Sequence, residues 1–587
     1  AWLFPPLVLW GLTRWLDGRR QGLWVGALAL AGLAMTHPVS LYLFAPLFGL
    51  WALAESAGHE TGQRWRALGR GVLLLGLGAA LGAFAWMPGL LERNFVNLGQ
   101  ATSAWVFDYR ENFLPLDQLL PLPRSADPHL LNDWPPRGLG LLFVLAALSG
   151  LLMWYGSARR ARFRIAVLAL ATLLYAFCST SASRPLWDAI PLLATFQFPW
   201  RFLAPATLSM VVLAGAGVAW LSGRPRCQMC GVALMALVAV AHWGWLYPNE
   251  GTLPGPASVA GMLAWEQATD TVGTTASREL LPRWVKQMPA EDNDLTMAFL
   301  RDVEPHRLDR AALPEGAVVS VLFSNRATLT TLRISSPRDF QARYLAFYYP
   351  GWRVSVDGVA VDVTPEPETG LVAFPVPAGD HTLDIRFGET PLRWTADALS
   401  LVALLAITLI VLRPSPLQTS AADGLVSISP VAGCRSAVIF LSMTMTMVML
   451  KFLVADQVPV LWRQSRLRTD GVFDVAMRLD ANFDGRAVLF GVDPLPTTFA
   501  ADASPAITLY WRALNPGGGD WHVGLDLIGP DGSRWAAVGL RPARWMREPP
   551  PMAEWPADAY ARMDYHCLLY TSPSPRDRTR SRMPSSA

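Results

Sequence analysis

The stretch Phe196-Gln197-Phe198-Pro199-Trp200-Arg201-Phe202-Leu203 sets one guanidinium and one amide among four aromatic rings, directly before an apolar run. Arginine is costly inside hydrocarbon but stable at its edge, where tryptophan rings also settle. Pro199 suits the first turn of a helix and biases Phe198 toward an extended backbone. The stretch therefore predicts that an outer loop ends here and a membrane helix begins. Arg201 is then either an interfacial anchor or a cation that meets an anionic lipid headgroup.

The composition agrees with a membrane protein. Of 587 residues, 52% are hydrophobic and only 16% are charged, whereas soluble proteins carry about a quarter charged residues. The 25 tryptophans suit a chain with many helix ends at membrane interfaces. The formal net charge of +3 is small for this length, and no basic stripe favours a nucleic-acid partner.

Ten apolar runs reach or approach the length that spans a bilayer. Short arginine-rich connections follow every second run, and such connections face the cytoplasm. The remaining connections are then outer: His37–Pro38, 92–137, 182–201, 248–395 and 456 onward. The runs lie at about 1–13, 21–36, 38–54, 71–91, 138–156, 163–181, 202–221, 229–247, 396–413 and 436–455.

Two of the outer regions read as strands. Within 318–388, Asp357-Gly358 separates two alternating segments and is typical of a type I′ hairpin turn. Residues 484–540 have the same style, so we expect two extracytoplasmic β-sandwich domains on a multi-span α-helical membrane protein. The predicted order is a membrane region (1–247), a first outer domain (248–395), two further membrane helices (396–455) and a second outer domain (456–566).

The sequence also leads to one expectation about each end of the chain. The first run would cross from outside to inside, so we expect at least one earlier span with its outer loop. At the other end, residues 567–587 are rich in serine, proline and arginine and resemble translated adapter sequence. The alternative is a disordered basic tail.

No motif for a metal, a phosphate loop or a catalytic serine is present; no cofactor is evident, and a divalent metal is left open. The polar candidates lie in the outer segments. A carboxylate in loop 92–137, Asp108 or Glu111, is a possible general base toward an acceptor hydroxyl, while arginine or histidine holds a phosphate leaving group. The alternative for each residue is a solvated loop with ordinary ion pairs.

Several segments resemble large prokaryotic membrane proteins of the GT-C glycosyltransferase-like group, including the YfhO-like proteins and those labelled "6-pyruvoyl-tetrahydropterin synthase-related", a label that implies no pterin chemistry. The resemblance covers most of residues 1–566. Its motifs are Thr36-His37-Pro38, the 196–202 stretch, Tyr348-Tyr349-Pro350-Gly351-Trp352 with Asp357-Gly358, and Pro377–His381; Thr508–Trp511 belongs to the last domain. It implies an enzyme that uses a polyprenyl-phosphate sugar donor on the outer face, with a catalytic acid in a first outer loop upstream of this chain.

The resulting expectation is an integral protein of the prokaryotic cytoplasmic membrane that transfers a sugar from a polyprenyl-phosphate donor to a cell-envelope glycan acceptor. His37, Gln197 and Arg201 are expected to bind substrate on the phosphate side. Asp108, Arg110 and Glu111 are the candidates on the acceptor side, with the two acids catalytic. The runner-up is a non-catalytic envelope scaffold or glycan-binding protein, and a transporter is a weaker third.

Overall fold

The computed structural model describes residues 1–99, 107–133, 137–155, 157–222, 258–269, 278–288, 294–301, 307–325 and 328–413, and parts of 233–245, 445–453 and 464–566. The chain divides into two compact units. The first comprises Ala1–Leu119, Phe143–Gly231 and Leu253–Gln418, and the second comprises Leu120–Leu142, Val232–Thr252 and Thr419–Ala587. The predicted outer loop 92–137 is thus shared between the units.

Helices dominate the first unit, and several begin where the sequence supplies a cap. His37 accepts the Ser40 amide at the start of α3, and Thr390 accepts the Arg393 amide at the start of α14; a proline follows each cap. The helices are α1 (Phe4–Leu16), α2 (Gln21–Thr36), α3 (Pro38–Gly58), α4 (Arg64–Leu81), α5 (Ala83–Leu91), α6 (Leu116–Leu119), α7 (Leu141–Leu151), α8 (Arg159–Cys178), α9 (Arg184–Ala189), α10 (Pro191–Ala194), α11 (Leu203–Ser222), α12 (Val259–Thr269), α13 (Asp294–Leu300) and α14 (Pro391–Leu412).

Small residues let the first helices approach closely. A Cβ on Gly11 of α1 would lie 2.5 Å from the Gly26 Cα of α2, and one on Gly78 of α4 would lie 3.0 Å from the Leu30 Cβ. At Gly11 a larger residue would require a backbone shift, whereas at Gly78 it would require its neighbours to move by a few tenths of an ångström. The contacts resemble the small-residue interfaces that bring membrane helices together.

Four described helices are long and apolar enough to cross a membrane: Pro38–Gly58, Arg159–Cys178, Pro199–Val218 and Pro391–Leu412. The pair α4 and α5 adds a fifth if its 74° bend lies within one span. Helices α2 and α7 are apolar but shorter. The predicted run 229–247 is described only in part, and the run 436–455 falls largely outside the described residues, as does the tail 567–587. The described residues therefore contain four to five candidate spans, which is compatible with a membrane protein, and the count of ten stays a prediction.

The first β region lies at Val318–Phe387, where the sequence predicts strands. A five-stranded sheet has the order β1-β2-β8-β4-β5, and a three-stranded sheet has the order β3-β7-β6. Buried side chains of both sheets, such as Ile334, Phe374 and Ile385, belong to one hydrophobic cluster. The strands are β1 (Val318–Ser324), β2 (Leu329–Ser336), β3 (Phe340–Phe347), β4 (Trp352–Val356), β5 (Val359–Val361), β6 (Thr364–Pro365), β7 (Leu371–Val376) and β8 (Gly379–Phe387).

The predicted hairpin between β4 and β5 is confirmed. Val356 pairs with Val359, and the two residues between them, Asp357 and Gly358, have φ of 50° and 81°. Two consecutive positive φ values define the type I′ turn, which only a few residue types adopt readily. The Asp357 carboxylate also accepts the Thr382 amide at 2.8 Å, so the turn is tied to β8.

The second unit contains a four-stranded antiparallel sheet of order β11-β12-β13-β16 and two paired ribbons, β9-β10 and β14-β15. Leu509, Trp511, Trp555 and Ala561 lie in its buried cluster. The strands are β9 (Leu467–Arg468), β10 (Gly471–Val472), β11 (Met477–Phe483), β12 (Ala487–Asp493), β13 (Ala506–Ala513), β14 (Gly524–Ile528), β15 (Arg534–Gly539) and β16 (Ala561–His566).

Candidate functional site

Within the 196–203 stretch, Pro199–Phe202 forms a 3₁₀ turn that leads directly into α11 (Leu203–Ser222), so a helical span begins here as the sequence predicts. Phe196 and Phe198 are buried, and Gln197 between them has a φ of 60°. This left-handed conformation is uncommon for a residue other than glycine and marks a locally constrained backbone. Beside it, the Phe196 carbonyl accepts a hydrogen bond from the Arg201 side chain.

Arg201 is held in a fixed position inside this turn. Its Nη1 donates to the Phe196 carbonyl at 2.9 Å, and its Cζ lies 4.7 Å from the centre of the Phe198 ring. The side chain is partly buried, and none of the carboxylates in the described part of the chain forms an ion pair with it. Arg201 is therefore an oriented cation whose local frame supplies a carbonyl and a ring but no counter-charge.

His37 joins α2 to α3 and acts on the same region. Its Nδ1 accepts from the Ser40 amide at 3.1 Å. Partial burial, followed by the positive charge of Arg201, lowers the pKa of His37 below its ordinary value of 6.5. The two predicted phosphate-side residues therefore interact electrostatically, and His37 is neutral at pH 7.

This lowered pKa gives a testable dependence on pH. The folded state binds the His37 proton less tightly than the unfolded chain, so protonation of His37 favours unfolding. The free energy of unfolding is therefore at its full value above pH 6.5 and falls as pH drops from 6.5 through the lowered pKa. We expect the thermal midpoint to fall more steeply toward pH 5 in the wild type than in His37→Asn, whose amide oxygen still caps Ser40 without titrating. Parallel pH profiles for the two proteins would contradict this role.

The acceptor-side candidates form a second polar group. Asp108 caps a short turn by accepting the Arg110 amide at 2.9 Å, and the Arg110 Nη2 lies 3.0 Å from an Asp188 carboxylate oxygen. Tyr109 donates its hydroxyl to Asp188. This hydrogen bond, with the charges of Arg110 and Arg184, lowers the pKa of Asp188. Asp188 is therefore an ionised carboxylate that orients Tyr109 and Arg110. Its lowered pKa makes it a weak proton acceptor.

Aromatic contacts connect these two polar groups. The Phe107 ring lies 6.0 Å from Phe198, and Tyr109 stacks on Trp187 at 5.3 Å. Trp187 in turn lies 5.4 Å from Phe202. The structure thus places Asp108, Arg110, Gln197 and Arg201 around one aromatic cluster, whereas the side chain of Glu111 lies outside the described residues.

A buried acid, missed by the sequence reading, lies at the predicted cytoplasmic ends of two spans. Glu55 in α3 has no exposed surface. Its carboxylate accepts from the Arg160 Nε at 2.7 Å, the Arg164 Nε at 2.6 Å and the Thr13 hydroxyl at 3.1 Å. Arg160 also pairs with Asp17 at 2.6 Å. The available signal was one acid directly after the apolar run 38–54, because an acid buried at such a place requires a partner.

A second buried acid, Glu92, begins the predicted outer loop 92–137. Glu92 is 5% exposed and pairs with the Arg393 Nη2 at 2.9 Å, at the start of α14. Arg393 also donates to the Pro350 carbonyl at 3.2 Å and lies 5.4 Å from the Tyr349 ring. The Tyr348–Trp352 motif is thus the place where the first β region meets the helix that follows it.

No group of three or more histidine, cysteine, aspartate or glutamate side chains within the described ranges is arranged to hold a metal ion. A comparison with protein-family models found no match, and neither did a comparison with curated proteins.

Proposed function

We propose that the chain is an integral membrane glycosyltransferase of GT-C type that transfers a sugar from a polyprenyl-phosphate donor to a cell-envelope acceptor. The observation that carries the proposal is Arg201, a partly buried guanidinium fixed at the start of a span without a carboxylate partner among the described residues. Planar guanidinium groups bind phosphate oxygens through two parallel hydrogen bonds. At a membrane edge, the phosphate of a lipid-linked sugar is the anion that such a cation would meet.

Contacts between loops that are predicted to lie on the same side of the membrane support the proposed orientation of the chain. Segments predicted to be outer contact one another: Val96 pairs with Pro282, Leu114 pairs with Thr180, and the charge of Arg201 acts on His37. Segments predicted to be cytoplasmic form their own group around Glu55. We infer from this sorting that the site lies on the extracytoplasmic face and that both β regions are sandwich domains on that side.

The chemistry we propose is an inverting, in-line displacement. An acceptor hydroxyl attacks the anomeric carbon while the bond to the donor phosphate breaks, and polyprenyl phosphate leaves. Asp108 takes the hydroxyl proton, with Glu111 as the alternative base, and Asp188 holds Tyr109 and Arg110 in place. Arg201 stabilises the charge that develops on the leaving phosphate, with His37 and Gln197 beside it.

Removing the Arg201 guanidinium tests this assignment. Because a charge-assisted hydrogen bond contributes about 1.5–3 kcal/mol, we expect Arg201→Ala to lower sugar transfer in membranes about 10- to 100-fold. Arg93→Ala is the matched control, since Arg93 is an exposed arginine in the same outer loop region. Transfer that stays at the wild-type rate in Arg201→Ala would remove Arg201 from the mechanism.

The second candidate is a glycan-binding envelope scaffold without catalysis. It is favoured by a half-buried aromatic group in the first unit: Trp284 stacks on Phe95 at 5.9 Å and contacts Tyr348 at 4.9 Å, while Arg283 lies over its ring at 4.9 Å. Aromatic rings beside a charged donor suit a sugar ring. Glycan binding without detectable transfer from any polyprenyl-phosphate donor would select this candidate.

A further inference from the structure

A polar cavity of about 100 Å³ lies in the second unit. Three arginines line it, Arg124, Arg466 and Arg562, together with two aspartates, Asp127 and Asp133. The residues come from two distant parts of the sequence: the segment 124–133 of the predicted outer loop, and the C-terminal β region. Backbone pairing brings the parts together, since Leu131 donates to the Tyr560 carbonyl at 2.9 Å and Tyr560 donates to the His129 carbonyl at 2.8 Å.

Both aspartates accept hydrogen bonds from groups of the protein itself. Asp127 is 7% exposed and accepts from the Tyr560 hydroxyl at 2.8 Å, the Arg466 amide at 2.8 Å and the His129 amide at 2.9 Å. Asp133 accepts from the Arg124 guanidinium and from the Asp127 amide at 2.8 Å. Both carboxylates therefore belong to the internal framework of the cavity, and the charge of Asp133 is paired with the Arg124 guanidinium.

The guanidinium groups of Arg466 and Arg562 have donors that no described residue accepts. Arg562 uses its Nε toward Asp564 at 3.2 Å, and within the described part of the chain its two Nη groups have no hydrogen-bond partner. The Arg466 guanidinium likewise makes no hydrogen bond or ion pair to a described residue, although its backbone amide is used. The Arg562 side chain is 48% exposed, so solvent and small solutes reach this donor.

We propose that this cavity binds a compact oxyanion, either a phosphate group or the carboxylate of an acidic sugar, between Arg466 and Arg562. Both ligands match the fork of donors that arginine presents. The volume restricts what enters, because pockets for drug-sized ligands measure roughly 300–1,000 Å³. A single charged group therefore occupies the cavity, while the molecule that carries it extends into solvent. The site is separate from Arg201 and does not depend on the proposed transfer activity.

The test is calorimetric titration of the full chain in detergent with inorganic phosphate, with glucuronate and with neutral glucose. We expect at least one of the two anions to bind, glucose not to bind, and Arg466→Gln or Arg562→Gln to weaken the anion about 10-fold or more. Arg486→Gln is the matched control, because Arg486 is a half-exposed arginine of the same β region outside the cavity.

The two anions show whether the natural ligand carries a phosphate or a carboxylate. Binding of phosphate alone assigns a phosphorylated ligand, binding of glucuronate assigns an acidic glycan, and binding of both assigns the shared oxyanion chemistry. The titrations are also made in the Arg201→Ala background, so that phosphate bound at Arg201 does not contribute to the signal. The proposal is overturned if neither anion binds, or if binding persists undiminished in both the Arg466→Gln and the Arg562→Gln variants.

Discussion

Glu55→Gln is expected to destabilise the folded chain by about 3 kcal/mol, the lower end of the range for breaking a buried ion pair. The lower end applies because Arg160 and Arg164 remain 22% and 33% exposed, so water screens part of the charge that the substitution leaves unpaired. The amide still accepts one hydrogen bond but no longer balances two guanidinium groups. Since Glu55 joins α1, α3 and α8, the loss falls on the packing of three helices.

Denaturant or thermal unfolding in detergent micelles measures this effect. Glu60→Gln is the matched control, because Glu60 is an exposed carboxylate just beyond the end of the same helix. We expect the control to change stability by less than about 0.5 kcal/mol. Equal unfolding midpoints for Glu55→Gln and Glu60→Gln would show that the buried network contributes nothing to the helix packing.

Glu92→Gln is expected to have a similar cost, about 3–5 kcal/mol, because Glu92 and Arg393 are both nearly buried. The effect should be local. Arg393 also holds the Pro350 carbonyl and the Tyr349 ring, so losing its counter-charge loosens the Tyr348–Trp352 motif from the start of α14. The strands of the first β region, whose cluster does not include Glu92, should retain their protection.

Hydrogen exchange distinguishes a local effect of Glu92→Gln from a loss of stability across the first β region. Amides of Tyr348–Trp352 and of the first turn of α14 should exchange faster in Glu92→Gln, while those of β2 and β8 should be unchanged. Glu389→Gln is the control, since Glu389 is exposed and lies one residue before the cap of the same helix. Uniformly faster exchange across the first β region would instead mean that Glu92 stabilises the whole domain.

Local sequence signals predicted local structure well. Asp357-Gly358 specified a turn with two positive φ values, because few other residue pairs adopt it. Pro199 after an aromatic stretch predicted the start of a helical span, and alternation predicted strand β8. In each case the physical cause lies within a few residues of the element it determines.

Long-range pairing was not predictable in the same way. Glu92 and Arg393 are 301 positions apart, and nothing near either residue identifies its partner. The segment 124–133 was interpreted as part of a surface loop, yet it pairs with Tyr560 and supplies half of a polar cavity. A single sequence carries no signal for such contacts, since any acid could pair with any arginine.

The functional role of the candidate residues stays a prediction, but the structure shows where they lie. Arg201 and His37 were selected from residue chemistry and resemblance, and the structure adds that the charge of Arg201 acts on His37. The left-handed backbone of Gln197 was not foreseen, because glutamine has no intrinsic preference for it. The role of Asp188 as the partner of Tyr109 and Arg110 also required the tertiary contacts.

The central claim is that Arg201 holds the phosphate of a lipid-linked sugar. Its most direct test is the affinity of the full chain in nanodiscs for a polyprenyl-phosphate-linked sugar, compared among the wild type, Arg201→Ala, Arg201→Lys and the control Arg93→Ala. We predict that Arg201→Ala binds about 10- to 100-fold more weakly, that Arg201→Lys loses less, and that Arg93→Ala equals the wild type. Equal affinity for the wild type and Arg201→Ala would contradict the claim.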